Sequence, residues 1–220
     1  MYQKNIFLNG ESNSWFNRNR LAIKNQTSII DIDEILNYIS DQNSILEIGC
    51  SNGYRLNYLY EKLSNFNISL YGIDPSNESI EDGKKNYLNL NLEVGTSDLL
   101  NYTDNSFDIV IVGFCLYLVD RELIFKTISE IDRVLKQNGF LVITDFEPPF
   151  PLKTPYKHLD GVFSYKNNYS NFFTAGSHYS LVRKLNYNHK DLAFDSNFNE
   201  RVSVSILFKE DMDEIYRYLK

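Results

Sequence analysis

Apolar positions along the chain follow two spacings in turn. From Ser28, residues Ile29, Ile32, Ile35, Leu36 and Ile39 recur at three and four, which predicts a helix with one buried face ending before Asn43. Residues 44–48 then form a short apolar run suited to a buried parallel strand. The turn Gly49-Cys50-Ser51-Asn52-Gly53 follows, and a helical pattern runs from Tyr54 to about Leu63. Glycines at 49 and 53 let the backbone approach a ligand, and the turn is expected to point free N–H groups outward at a helix start. Residues 68–73 read as a second strand with Asp74 at its carboxyl end, and Pro75 and Ser76 lead into a helix over 77–87. Residues 90–94 are a weaker third strand followed by the polar turn Gly95-Thr96-Ser97-Asp98. Residues 107–113 are a strongly apolar fourth strand. Asp120 is expected to cap the next helix, whose face is Leu123, Ile124, Thr127, Ile128, Ile131, Val134 and Leu135, with Gly139 at its C-cap and a fifth strand over 140–146.

Strand and helix alternate as in an α/β, doubly wound (Rossmann-like) sheet. Past Glu147 the pattern changes: four of the five prolines, all three histidines and nine aromatic residues lie between 148 and 190. Late strands are expected near 179–185 and 202–208, and a closing helix over 210–220. Residues 1–27 show no sustained period, although Trp15-Phe16-Asn17-Arg18-Asn19-Arg20 holds the chain's one tryptophan. That segment is read as an N-terminal arm, either plugging an edge of the core or closing over a pocket as a lid.

At 220 residues and 43% hydrophobic, the chain fits one domain, 1–220, with the arm and an inserted cap over 148–190. Neither a signal-like start nor a stretch near the roughly 18 apolar residues of a membrane span is found, so a cytoplasmic protein with no membrane partner is expected. Cys50 and Cys115 lack companions at metal-ligand spacing and read as buried thiols, with no metal site. The net charge of −7 disfavours a polyanion partner, so nucleic acid is an improbable substrate. The charge is also uneven. Residues 28–147 carry 8 basic and 20 acidic groups, residues 148–190 carry 6 and 1, and residues 1–27 carry 4 and 1.

In an open parallel sheet, ligands lie beyond the carboxyl ends of the strands. Those ends carry Gly49 to Gly53, Asp74, Thr96 to Asp98 and the residues after Gly113. An acid some 20 positions past a glycine turn can accept both ribose hydroxyls, the role open to Asp74, and Ser97 and Asp98 can meet an adenine edge. A dinucleotide fingerprint would need glycine where Ser51 and Tyr54 stand, and no phosphate-binding lysine follows the turn, which leaves an adenosine without phosphates.

The segments ILEIGCSNGYRL (45–56), YGIDPS (71–76), GTSDLLNYTDNSFDIVIV (95–112) and EIDRVLKQNGFLVITDF (130–146) resemble, in order, the motifs of class I S-adenosylmethionine-dependent methyltransferases. The resemblance implies a seven-stranded sheet with its last strand antiparallel, and S-adenosyl-L-methionine as cofactor with S-adenosyl-L-homocysteine as product. It implies that Glu47, Gly49 and Gly53 lie against the methionine part, Asp74 at the ribose, Ser97 and Asp98 at the adenine, and Phe114 and Cys115 below the sulfonium, with Ser51 and Pro75 as further cofactor contacts. The sequence departs from the family at Ser51, where a middle glycine is usual, and at Thr96, where aspartate is common. A looser resemblance, through WFNRN (15–19), GFCLYLVDR (113–121) and HLDGVFSYKNNYSNFF (158–173), is to small methyltransferases of bacterial sugar and surface-glycan pathways.

The two positive segments suggest a small acceptor bearing a carboxylate or phosphate, with Trp15, Arg18, Tyr117, Lys157, Lys166 and Tyr169 as candidate contacts. For an oxygen nucleophile a base is needed, and His158 is the first candidate, with His178 and Tyr165 in reserve. Methylation of a protein or nucleic acid, and an inactive binding module on the same fold, are the alternatives.

Overall fold

The computed structural model describes residues 2–26, 28–188 and 193–215. Its frame is a parallel set of strands, β1 (Ser44–Ile48), β2 (Ser69–Asp74), β3 (Leu90–Val94), β4 (Phe107–Gly113) and β5 (Leu135–Phe146). The antiparallel β9 (Val202–Lys209) lies between β5 and β8 (Tyr179–Tyr187), which gives seven strands in the order β3-β2-β1-β4-β5-β9-β8. This is the expected architecture, with the last strand running against the others. The order reverses between β1 and β4, and the crevice there is where such sheets bind ligands.

Consecutive apolar residues on a strand face opposite sides, and two cores result. Ile45, Ile109, Ile111 and Val142 pack beneath helices α3 (Ile30–Ile35), α4 (Tyr54–Lys62) and α5 (Asn77–Asn86). Leu46, Val110, Val112 and Leu141 pack under α6 (Ile124–Val134) together with Tyr169 and Phe173. Alternation along each strand therefore builds both layers at once.

Three local expectations are corrected. Asp120 does not cap α6: its carboxylate accepts the backbone N–H groups of Gln3 (2.8 Å) and Lys4 (2.9 Å), at the start of α1 (Gln3–Ile6). The α6 helix stops at Val134, because Leu135 already pairs with Phe107. Asn138, with φ of 62°, takes the left-handed turn expected of Gly139, whose own position has no room for a Cβ beside the Asp108 carbonyl.

The arm, which shows no hydrophobic period, is helical: α1, a wider turn over Phe7–Glu11 broken by Gly10 at φ 136°, and α2 (Ser12–Lys24). Its buried side chains include Gln3 and Glu11, satisfied by tertiary partners, and Ser12, whose hydroxyl donates to the Phe7 carbonyl within the arm, so no apolar stripe marks the helix. Thr27, the end of the expected arm, lies outside the described residues. Within 148–190, β6 (Leu152–Pro155) and β7 (Phe163–Lys166) form a ribbon, α7 (Asn171–Thr174) follows, and the remainder enters the main sheet as β8. Of the expected closing helix only α8 (Met212–Ile215) is described, and residues 216–220 lie outside. No helix among the described residues is long and apolar enough to cross a membrane.

Helix α5 rests on the turn after β1 through Gly83, where an added Cβ would lie 2.2 Å from the Asn52 carbonyl oxygen. Alanine is normally the better helix former, by roughly 1 kcal/mol. Here Gly83→Ala should instead destabilise the protein by about 1–3 kcal/mol through overpacking against backbone, read from the urea-unfolding midpoint. A stabilised variant would contradict the packing described.

Candidate active site

A cavity of about 460 Å³ opens at the carboxyl ends of β1, β2 and β4. That is ample for a nucleoside-sized ligand together with part of a second molecule. The sheet side is formed by Gly49, Ser51, Asp74, Pro75 and Thr96 to Asp98, then by Gly113 to Cys115 and Tyr117. The opposite side comes from the arm, through Lys4, Phe7, Ser12, Trp15 and Asn19.

The turn after β1 is drawn against β2 rather than opened toward the cavity. Gly49 N–H (2.8 Å) and Cys50 N–H (3.0 Å) both donate to the Ile73 carbonyl, and Gly53 N–H donates to the Cys50 carbonyl (2.9 Å). The expectation of outward N–H groups is corrected here, since most of this backbone is already paired. Ser51 N–H donates to Asp74 Oδ2 (2.9 Å) and Ser76 N–H to Asp74 Oδ1 (2.8 Å), which fixes the Asp74 carboxylate at the strand end. Burial raises the Asp74 pKa to about 6 against those two donors. Ser51 adopts φ 52°, the left-handed region that glycine occupies without strain, so a β-carbon at this position costs backbone energy as well as space.

Below the turn lies a buried ionic cluster. The Arg55 guanidinium bonds the Asp31 carboxylate, and its Nε stands 2.5 Å from Glu47 Oε1. Asp31 also accepts the Thr144 hydroxyl (2.6 Å), so α3, α4, β1 and β5 meet at one cation. Gly113 leaves the space: a Cβ there would lie 2.8 Å from the guanidinium carbon. Two carboxylates share one guanidinium, which leaves the cluster one negative charge in excess. Burial accordingly pushes Glu47 upward even beside Arg55, whereas Arg55 is held charged by both acids. Both Glu47 oxygens and the Ser51 hydroxyl are buried without an aligned hydrogen-bond partner among the described residues.

At the far end, Asp98 lines the cavity with its carboxylate bound to Lys4 Nζ at 2.7 Å, and Lys126 stands 3.7 Å away. Burial works to raise its pKa, but hydrogen bonds from Lys4 and Thr96 win and hold it below the usual range. Ser97 Oγ shares a hydrogen bond with Thr127 Oγ1 (3.2 Å). Behind the residues after β4, Asp145 accepts Phe146 N–H (2.7 Å) and Tyr117 N–H (3.1 Å), and burial raises its pKa to about 7. Burial likewise pushes the Cys115 thiol up to about 12, so it is neutral beside the cavity.

The sequence-predicted residues separate by place. Gly49, Ser51, Asp74, Pro75, Ser97, Asp98, Phe114, Cys115, Tyr117 and Trp15 line the cavity, while Glu47 lies directly beneath it and Gly53 packs against Leu90 and Leu92. The predicted bases do not join them. His158 is exposed and packs edge-on against Tyr156, with ring centroids 5.3 Å apart. His178 precedes β8 beside Lys209, at the end of the sheet opposite the cavity. Tyr165 lies under the Arg121 guanidinium. Among the described residues, no histidine lines the cavity.

The predicted counter-charges are also committed elsewhere. Arg18 pairs with Glu11 at 2.5 Å and bonds Tyr156 Oη (3.2 Å). Lys166 donates to the Asn199 carbonyl (2.6 Å) while covering the Phe146 ring, and Lys157 is exposed away from the cavity lining. Tyr169 is buried core, its hydroxyl donating to the Tyr165 carbonyl and accepting from Arg121. Sequence reasoning missed Lys4, Phe7, Tyr54, Arg55 and Phe146. Arg55 stood within a quoted motif, but Lys4 carried no local signal, because its partner is 94 residues away.

The family description Methyltransferase domain matches residues 39–197. Demethylmenaquinone methyltransferase of Staphylococcus saprophyticus is 37% identical over 81 residues, 36% of this chain and 34% of that protein. Ribosomal protein L11 methyltransferase of Dictyoglomus thermophilum is 28% identical over 118 residues, 53% and 36% of the two chains. The chain thus spans about a third of the length of these curated relatives. Among solved structures, the 1,6-didemethyltoxoflavin-N1-methyltransferase of Burkholderia thailandensis, with 1,6-didemethyltoxoflavin and S-adenosylhomocysteine bound, superposes with TM-score 0.73 at 12% identity, covering 94% of this chain and 88% of that one. A SAM-dependent methyltransferase from Methanosarcina mazei gives TM-score 0.65 at 19% identity, covering 80% and 97%. With the motifs in order along β1 to β5 and the family match over most of its length, the chain belongs to the S-adenosylmethionine-dependent methyltransferase family of class I fold.

Proposed function

We propose that the protein transfers a methyl group from S-adenosylmethionine to a small molecule held under the N-terminal arm. The observation that carries this reading is that a single cavity joins the family's donor motifs to aromatic residues of the arm. When bound, the donor supplies a sulfonium methyl that an acceptor lone pair displaces in line, leaving S-adenosylhomocysteine.

The residues present fit that donor. The buried cluster under the turn sets two carboxyl groups against one guanidinium and leaves Glu47 Oε2 without a partner among the described residues, suited to the ammonium of the methionine part. Asp74, held by Ser51 and Ser76, keeps acceptor capacity for the ribose hydroxyls. Ser97, Asp98 and Pro75 border the adenine end, and Phe114 and Cys115 lie toward the methyl. The paired backbone of the turn leaves little to grip a phosphate, in keeping with a phosphate-free ligand.

The arm acts as a lid, pinned on one side by Asp120 and Lys4 and on the other by Asn13, which accepts the Ser76 hydroxyl at 2.8 Å. The 148–190 insertion supports the acceptor end through Phe7, Tyr156 and Val162, a small apolar cluster joining arm to ribbon. A carboxylate- or phosphate-bearing acceptor draws little support, because Arg18, Lys166 and Lys4 are each engaged by groups of this chain. Incorporation of labelled methyl from S-adenosylmethionine into a small-molecule extract, with none into protein or nucleic acid, is the direct test.

Asp74→Ala should weaken S-adenosylhomocysteine binding by about 1.5–3 kcal/mol, the value of hydrogen bonds to a charged group, measured calorimetrically. Because binding uses the ionised carboxylate, whose pKa is about 6, affinity should fall as pH drops below 6 and level off above 7. Asp74→Asn should remove the part of that dependence centred near pH 6, and an unchanged pH profile would refute the ribose role. His158→Ala should leave the methyl-transfer rate within about twofold, since a surface side chain outside the cavity contributes little. A large loss of turnover would restore His158 as a base.

A further inference from the structure

The acceptor end of the cavity carries its own chemical signature. Aromatic side chains line the cavity from both sides: Trp15 from α2 and Phe7 from the turn of the arm, and opposite them the rings of Tyr117 and Phe146, which meet edge to face with centroids 5.1 Å apart. Phe114 meets Phe146 in the same way at 5.8 Å. Edge-to-face rings present both flat faces and electropositive rims, the surface that best accepts another planar ring.

The charged side chains around this space are satisfied within the protein. Lys4 is bound to Asp98, Asp120 to the backbone of Gln3 and Lys4, and Arg55 to Asp31 and Glu47. An anionic acceptor would have to leave its hydration shell without gaining a counter-charge, and a buried unpaired charge is costly. A sugar would leave most of its hydroxyls facing rings. Among the rings, the Tyr117 hydroxyl makes no hydrogen bond to a described residue, and Asn19, whose Nδ2 donates to the Trp15 carbonyl (2.8 Å), keeps its side-chain oxygen unpaired. One donor and one acceptor among rings suit a flat molecule with a hydrogen-bonding edge.

We infer that the acceptor is an uncharged, planar aromatic or heteroaromatic molecule, packed against Trp15 and the Tyr117–Phe146 wall and read at its edge by Tyr117 and Asn19. This rests on the methyl-donor reading above and narrows its second substrate. Trp15 and Tyr117 are then specificity-determining residues contributed by opposite sides of the cavity, and the arm that carries Trp15 is part of the acceptor site itself.

The test is calorimetric, on the full chain saturated with S-adenosylhomocysteine at pH 7.5, using three probes: quinolin-2-one, 2-oxoquinoline-4-carboxylate and glucuronate. Quinolin-2-one should bind saturably and at least tenfold more tightly than its carboxylate, with glucuronate giving no isotherm. Trp15→Ala should weaken quinolin-2-one at least tenfold in protein that still titrates with S-adenosylhomocysteine, and Tyr117→Phe should weaken it severalfold. Equal or tighter binding of the carboxylate or of glucuronate would overturn the inference. So would quinolin-2-one binding that Trp15→Ala leaves intact, or no binding of quinolin-2-one to protein that binds S-adenosylhomocysteine. An absent S-adenosylhomocysteine isotherm in the unmodified protein would overturn the donor reading itself, and this inference with it.

Discussion

The Arg55 guanidinium, buried between Asp31 and Glu47, is the constraint on which the cavity depends. It is the point where the helix before the sheet, the helix after the first turn and two central strands are tied together, and Gly113 exists to make room for it. Taking these ions out of water is expensive, and removing one partner of such a buried pair costs about 3–5 kcal/mol. Apolar residues of similar volume could hold the same elements together. What they could not provide is a pair of carboxyl groups sharing one guanidinium immediately below the turn, an arrangement that suits an ammonium group.

The acidic body and the basic arm are related by the same economy of charge. Lys4 meets Asp98, Arg20 meets Asp82, and Asp120 caps the start of the first helix. Positive residues in the arm therefore hold it onto the sheet edge rather than reaching for a substrate. Of these, the exposed Arg20–Asp82 pair contributes little by itself. Their effect here is directional, since they attach the arm from both sides of the cavity and leave its aromatic residues facing inward.

Much of the donor half was legible along the chain, because it is built from local pieces. Strand-length apolar runs, the glycine-bearing turn and Asp74 at the next strand end each report their structure within a few residues, and parallel order follows from alternation with helices. Boundaries were less legible where tertiary contact overruled local preference. Asp120 has the look of a helix cap for the residues after it but serves the residues at the start of the chain, and Leu135 leaves its helix because Phe107 offers a strand partner.

The sequence by itself determined the class of fold, the succession of strands and helices through the fifth strand and the phosphate-free character of the nucleotide site, since each follows from hydrophobic period or from the size of single residues in a turn. Only the tertiary structure decided which charges face the cavity. Glu11, Asp82 and Asp98 neutralise the arm's Arg18, Arg20 and Lys4 across separations of 7, 62 and 94 residues. It also decided that His158 and His178 stand away from the cavity while Trp15 lines it, because ring packing and ion pairing depend on distance in space, and the hydrophobic period of a segment carries no record of that distance.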